Sequence, residues 1–111
     1  MFEKDVKEIS LLLVFYGELL SERKQAVLAL YYNEDFSLAE IADEIGISRQ
    51  GARDLIKKAE EELCRFEDTL GLVFRFEEAK RRIANIRAFS ETLDIPQKLT
   101  DEMEALAELF K

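Results

Sequence analysis

The chain has no histidine, one proline, one cysteine and only four glycines among its 111 residues. Each scarcity excludes something. Gly and Pro punctuate turns, and a sheet of many short strands would need more of both, so long helices joined by short links are the natural reading. Cys64 is the single cysteine, so no internal disulfide can form, which fits a reducing cytosol. With no histidine to activate it and with Leu63 and Phe66 beside it, the Cys64 thiol reads as inert core. The apolar stretch Leu11–Tyr16 is too short to span a bilayer, and it follows acidic residues where a signal peptide would carry basic ones. Secretion and membrane insertion are disfavoured, and a cytoplasmic protein is expected.

What is present is ample for folding. Hydrophobic residues make up 48% and charged residues 36%, enough to build a core and remain in solution. The length suits a single all-helical domain over 1–111. The net charge of −8 is spread evenly, with −3 over residues 1–36, −2 over 37–65 and −3 over 66–111. One stretch runs against it. Ser48–Lys58 holds Arg49, Arg53, Lys57 and Lys58 against Asp54 alone, a local charge of +3.

Helical periodicity recurs along the chain. Phe2, Val6, Ile9, Leu13, Tyr16 and Leu20 follow spacings of three and four, the stripe of an amphipathic helix. Leu11, Leu12, Val14, Phe15 and Leu19 give that helix a second apolar face. Ser21 is placed to cap a next helix with Val27, Leu28, Leu30 and Tyr31 inward, ended by Asn33-Glu34-Asp35. Ser37-Leu38-Ala39-Glu40 has the pattern of a capping box. Ser48 then caps a helix running through Ala52, Leu55, Ile56, Ala59 and Leu63 towards Leu70, with Gly71 either ending it or passing within it. Glu60-Glu61-Glu62 and Glu77-Glu78 read as solvated helix surface. Leu72, Phe76, Ala79, Ile83, Ile86 and Leu93 form a further stripe, Pro96 marks a break, and Thr100 is placed to cap a last helix with Met103, Leu106, Leu109 and Phe110. Six helical segments result.

Residues 37–56 carry the functional signal. A helix-turn-helix needs two helices joined by a short turn, often containing glycine. Ala42 is small where the helices would cross, Gly46 supplies a left-handed turn residue, and Ile41, Ile45, Ile47, Ala52 and Leu55 have the spacing to fill the wedge. Arg49, Gln50, Arg53 and Lys57 then fall on the outer face of the second helix. Arg pairs with guanine and Gln with adenine in the major groove, so Arg49, Gln50 and Arg53 are candidate base readers. Lys57 and Lys58 are candidate phosphate contacts, and Ser48 offers a helix N-terminus to phosphate. The plainer alternative is a solvated helix face with pairs such as Lys57–Glu61. Gly51, inside the recognition helix, costs about 1 kcal/mol relative to Ala and invites close approach by the first helix or by a phosphate backbone.

Tyr31-Tyr32, Asp35-Phe36-Ser37-Leu38-Ala39-Glu40-Ile41-Ala42-Asp43-Glu44 and Gly46-Ile47-Ser48-Arg49-Gln50-Gly51-Ala52 together resemble the YlxM family of small helix-turn-helix proteins. The unit is also similar to region 4 of sigma-70-type sigma factors, which reads promoter DNA. The resemblance spans about residues 11–70. It implies an all-α fold with a helix-turn-helix core at about 21–70, no wing, extra N-terminal helices and a C-terminal helical extension over about 71–111. It further implies a DNA-binding regulatory role and a link to the signal recognition particle pathway.

Two other classes compete: an acidic protein-interaction adaptor and an RNA-binding accessory factor, each using the helix-turn-helix as scaffold. Tyr31 and Tyr32 read as helix packing rather than as base-stacking platforms. No partnered catalytic constellation, phosphate-cradling glycine loop, metal cluster, cofactor site or small-molecule ligand site emerges, and the chain reads as a non-enzyme. The surplus apolar surface of Phe2–Leu20 and of the Leu72–Leu93 stripe points to a homodimer, which would set two recognition helices about one DNA turn apart.

Overall fold

A computed structural model describes residues 6–111 and contains six α-helices among them: α1 (Val6–Tyr16), α2 (Glu22–Leu28), α3 (Leu38–Ile45), α4 (Arg49–Leu70), α5 (Leu72–Ser90) and α6 (Gln97–Glu108). No strand occurs among the described residues. The fold is all-α. The chain divides into two compact units, residues 1–71 and 72–111.

In the first unit, α1, α2 and α3 all pack on α4, whose 22 residues extend about 33 Å at 1.5 Å per residue. Ile9, Val27, Leu28, Ile41, Ala52, Ile56, Ala59 and Leu63 are fully buried there. The α1 stripe is narrower than its periodicity predicts. Ile9, Leu12, Tyr16 and Leu20 are buried, whereas Val6 and Val14 are 58% and 80% exposed and Leu13 is half-buried. The predicted Phe2 position lies outside the described residues. A 3₁₀ turn at Gly17–Leu19 ends α1 and swings Leu20 into the core, with the Leu20 amide donating to the Gly17 carbonyl. Tyr16 ties α1 to the far end of α4 by donating its hydroxyl to Glu67 and stacking at a tilt on Phe66, ring centres 6.0 Å apart.

Ser21 caps α2 as predicted, its Oγ accepting the Lys24 amide at 3.3 Å. Lys24 Nζ makes an ion pair with Glu62 of α4. The second inward pair after Val27 and Leu28 is not Leu30 and Tyr31. The helix widens into a π turn over Ala29–Asn33, and the extra residue in that turn rotates the side chains so that Tyr32 is buried and Tyr31 is left half-exposed. The two rings meet edge to face at 5.0 Å.

Gly71 settles the end of α4. It is left-handed at φ 63°, and its amide donates to the Glu67 carbonyl at 2.8 Å, so the helix stops there.

The second unit is an α5–α6 hairpin closed by Phe76 against Phe110 (5.6 Å) and by an Arg87–Glu104 ion pair at 2.8 Å. Val73, Phe76, Ala79 and Ile83 are only half-buried. Leu93 of the predicted stripe lies beyond the end of α5. Thr100 is not the cap of α6. The helix starts at Gln97 because Pro96, at φ −59°, already holds a backbone suited to a helix start, and its carbonyl accepts the amides of Leu99 and Thr100.

Candidate nucleic-acid interface

The α3–turn–α4 unit is built from local signals that the sequence places in order. Ser37 and Glu40 form a reciprocal capping box: Ser37 Oγ accepts the Glu40 amide at 3.1 Å, and Glu40 Oε1 accepts the Ser37 amide at 2.9 Å. That bonding to the charged form holds the Glu40 carboxyl below its usual range. Gly46 ends α3 at φ 80°, and the amides of Gly46 and Ile47 converge on the Ala42 carbonyl at 2.9 and 3.0 Å. Ser48 then starts α4, its Oγ accepting the Gly51 amide at 2.9 Å.

Gly51 now has a structural reason. A Cβ there would stand 3.0 Å from Ser48 Oγ, so the glycine leaves room for the cap itself. The wedge between α3 and α4 is filled by Ile41, Ala42, Ala52 and Ile56. Ile45, Ile47 and Leu55, also predicted there, are half-buried at its margin.

The buried residues Ala52, Ile56, Ala59, Glu60 and Leu63 define the inward arc of α4. Ser48, Arg49, Gln50, Arg53, Lys57 and Lys58 are all exposed. At 100° per residue they separate into two groups. Arg49, Arg53 and Lys57, four apart, form one row along an edge of the outer face. Lys58 lies about 100° further round, with Asp54 and Glu61 between it and the row. Gln50 sits beside the row and donates Nε2 to Asp54 Oδ1 at 2.9 Å, a bond that base readout by Gln50 would have to replace. Among the described residues no carboxylate pairs with Arg49, Arg53, Lys57 or Lys58, and the Lys57–Glu61 pair of the plainer alternative does not form. Asp43 and Glu44 are exposed on α3.

The expectation that Glu60-Glu61-Glu62 is solvated surface is wrong for two of the three. Glu60 follows Ile56 by one turn and is buried at 7% exposure, while Glu62 is half-buried and paired with Lys24. Among the described residues, neither Glu60 Oε2 nor the buried Tyr32 hydroxyl has a hydrogen-bond partner. Burial pushes the Glu60 carboxyl above its usual range. Burial and the neighbouring carboxylate hold the Tyr32 phenol protonated well beyond its usual range. The sequence signal for Glu60 was its register with Ile56 and Leu63, overridden by the acidic run around it.

Among the described residues no cluster of three His, Cys, Asp or Glu side chains could hold a metal ion, and no helix is long and apolar enough to cross a membrane. Cys64 is half-buried.

A capped helix, a left-handed glycine turn and a second capped helix seated on a shared wedge define a helix-turn-helix protein. The chain belongs to the UPF0122 family, described as "Putative helix-turn-helix protein, YlxM / p13 like", whose model matches residues 3–106. It is 43% identical over 101 residues to a UPF0122 protein of Acetivibrio thermocellus, covering 91% of this chain and 86% of the relative. It is 47% identical over 91 residues to one of Symbiobacterium thermophilum, covering 82% of each chain. The match to one of Listeria welshimeri is 35% over 107 residues and 96% of both chains.

Proposed function

We propose that this chain is a DNA-binding regulatory protein that lays the N-terminal half of α4 in the major groove. The observation that carries this reading is the exposed row Arg49–Arg53–Lys57, free of carboxylate partners among the described residues, on the helix that follows the turn. Arg49, Gln50 and Arg53 read base edges. Ser48, Lys57 and Lys58 hold phosphate and set the register. The protein acts in the cytoplasm as a homodimer, so that two copies of α4 address a two-fold site. The link to the signal recognition particle pathway enters through the family resemblance alone.

The overall charge of −8 opposes approach to DNA, and so few cations contact phosphate that binding is weak and salt-sensitive. Each neutralised phosphate adds close to one unit to the log–log salt slope, which predicts a slope of about 2–4 per protomer. Fluorescence anisotropy against random duplex DNA and structured RNA, titrated with salt, tests this. Duplex binding with that slope supports it. Preference for structured RNA favours the RNA-binding alternative, and no binding to either favours the protein adaptor.

A further inference from the structure

The α5–α6 hairpin spans about forty residues, at the limit below which a chain rarely holds a core alone, and none of its side chains is buried. Its open apolar surface is organised. The Arg87–Glu104 pair marks one side of the hairpin. Helical periodicity puts Leu72, Ile86 and Phe89 of α5, and Leu99, Leu106 and Leu109 of α6, on the opposite side. These six are 44%, 49%, 71%, 49%, 45% and 74% exposed. Exposed large apolar residues gathered on one side of a hairpin mark an interface.

Charge says what covers it. Residues 72–90 carry five cations (Arg75, Lys80, Arg81, Arg82, Arg87) against Glu77 and Glu78, a balance of +3. Residues 97–108 carry Lys98 against Asp101, Glu102, Glu104 and Glu108, a balance of −3. On the open side, Arg75 and Arg82, the latter bridged to Glu78, fall between Ile86 and Phe89 around α5, and Glu102 falls between Leu106 and Leu109 around α6. A hairpin with one basic and one acidic helix is complementary to itself.

We infer that a second copy of this chain covers the face, forming a four-helix bundle in which α5 of each protomer lies antiparallel to α6 of the other. This deepens the homodimer part of the proposed function and is independent of what α4 binds. Two hairpins stacked face to face have two symmetric choices. A two-fold axis parallel to the helices sets α5 over the partner's α6, cation against carboxylate. An axis across the helices sets α5 over α5 and α6 over α6, with like charges opposed, which is destabilising. The charge pattern selects the first.

Sedimentation of the full chain, together with pulsed EPR on single nitroxide labels, tests both levels. The labels go on Glu77→Cys, Arg81→Cys or Ala88→Cys, each in a Cys64→Ser background. The three positions lie within about 40° of one another around α5. With the axis parallel to the helices, positions on one face of α5 are equally far from their symmetry mates, so the three labels give the same interspin distance. With the axis across the helices, each label is offset from its mate by about 3 Å for every residue that separates it from the axis, so no placement of the axis makes all three distances equal. A dimer with matching distances is the expected result. A dimer whose three distances differ keeps the homodimer and overturns the bundle proposed here. A monomer at 100 µM, on the order of a thousand-fold above a tight dimer's dissociation constant, overturns both. Ile86→Glu should shift the sedimenting species to monomer while leaving the helical circular dichroism of the first unit in place.

Discussion

The two units of the chain have similar helical patterning and very different interiors. In residues 6–71, three helices converge on α4, and Ile9, Tyr16, Leu28, Ile41, Ile56 and Leu63 lose essentially all contact with solvent. In residues 72–111, a stripe of comparable regularity (Leu72, Phe76, Ala79, Ile83, Ile86) buries nothing completely. An amphipathic period states that a helix has an apolar side; only the number of neighbours decides whether that side becomes a core. The first unit meets that need within the chain. In the second, each helix has only the other helix of the hairpin as a neighbour within its own unit.

Truncating a side chain in each unit should separate them most clearly. Leu63→Ala removes a fully buried side chain at the centre of α4 and should cost about 2–5 kcal/mol in urea unfolding. Ile86→Ala should cost under about 1 kcal/mol at protein concentrations where the chain is monomeric, because that side chain is already half in water. Equal costs would mean that the hairpin is as tightly packed as the helix-turn-helix unit.

A smaller effect is expected at the polar flaw in the first core. The raised pKa of Glu60 means the fold favours its protonated form. Its contribution to stability is therefore full below the ordinary carboxylate range and is lost as pH rises through the raised value. Glu60→Gln, uncharged at every pH and able to donate to Tyr32 Oη, should gain roughly 1 kcal/mol at pH 7 and nothing near pH 4. Thermal melts of both proteins across pH 4–8 measure this. A parallel pH dependence in the two would show that Glu60 is not the titrating group.

Gly51→Ala should have the smallest effect. Helix propensity favours alanine by about 1 kcal/mol, and crowding of the Ser48 cap at 3.0 Å opposes it. The net change should fall within about 0.5 kcal/mol of zero. In a Ser48→Ala background, where no Oγ is left to crowd, the same substitution should recover its full gain.

What the sequence revealed follows the range of the forces involved. The Ser37–Glu40 box, the Gly46 turn and the Ser48 cap each depend on residues within a few positions, and all three form as read. Local signals also gave the six helices and the exposed setting of Arg49, Gln50, Arg53, Lys57 and Lys58. The misreadings depend on partners far along the chain or on backbone that departs from the ideal period. Tyr32 replaces Tyr31 in the core because a π turn adds a residue, which no hydrophobic count reveals. Glu60 is buried because α2 and its π turn cover that side of α4, although the glutamates around it read as surface. Lys58 is parted from the other cations by the rotation of the helix, which a tally of charge over Ser48–Lys58 averages away. Pro96 starts α6 itself, and a rule that treats proline only as a breaker moves the start to Thr100.

The central claim is that the outer row of α4 reads duplex DNA, and Arg53→Ala tests it most directly. Arg53 is exposed and has no carboxylate partner among the described residues, so its loss should change stability by no more than about 0.5 kcal/mol. With a duplex selected for binding, anisotropy should show affinity weakened by about 1–3 kcal/mol and discrimination relaxed at one base position. Lys58→Ala, in the same assay, should lower affinity for all sequences alike. Unchanged DNA binding in both variants, with melting temperatures preserved, would contradict the account and leave α4 with a solvated face.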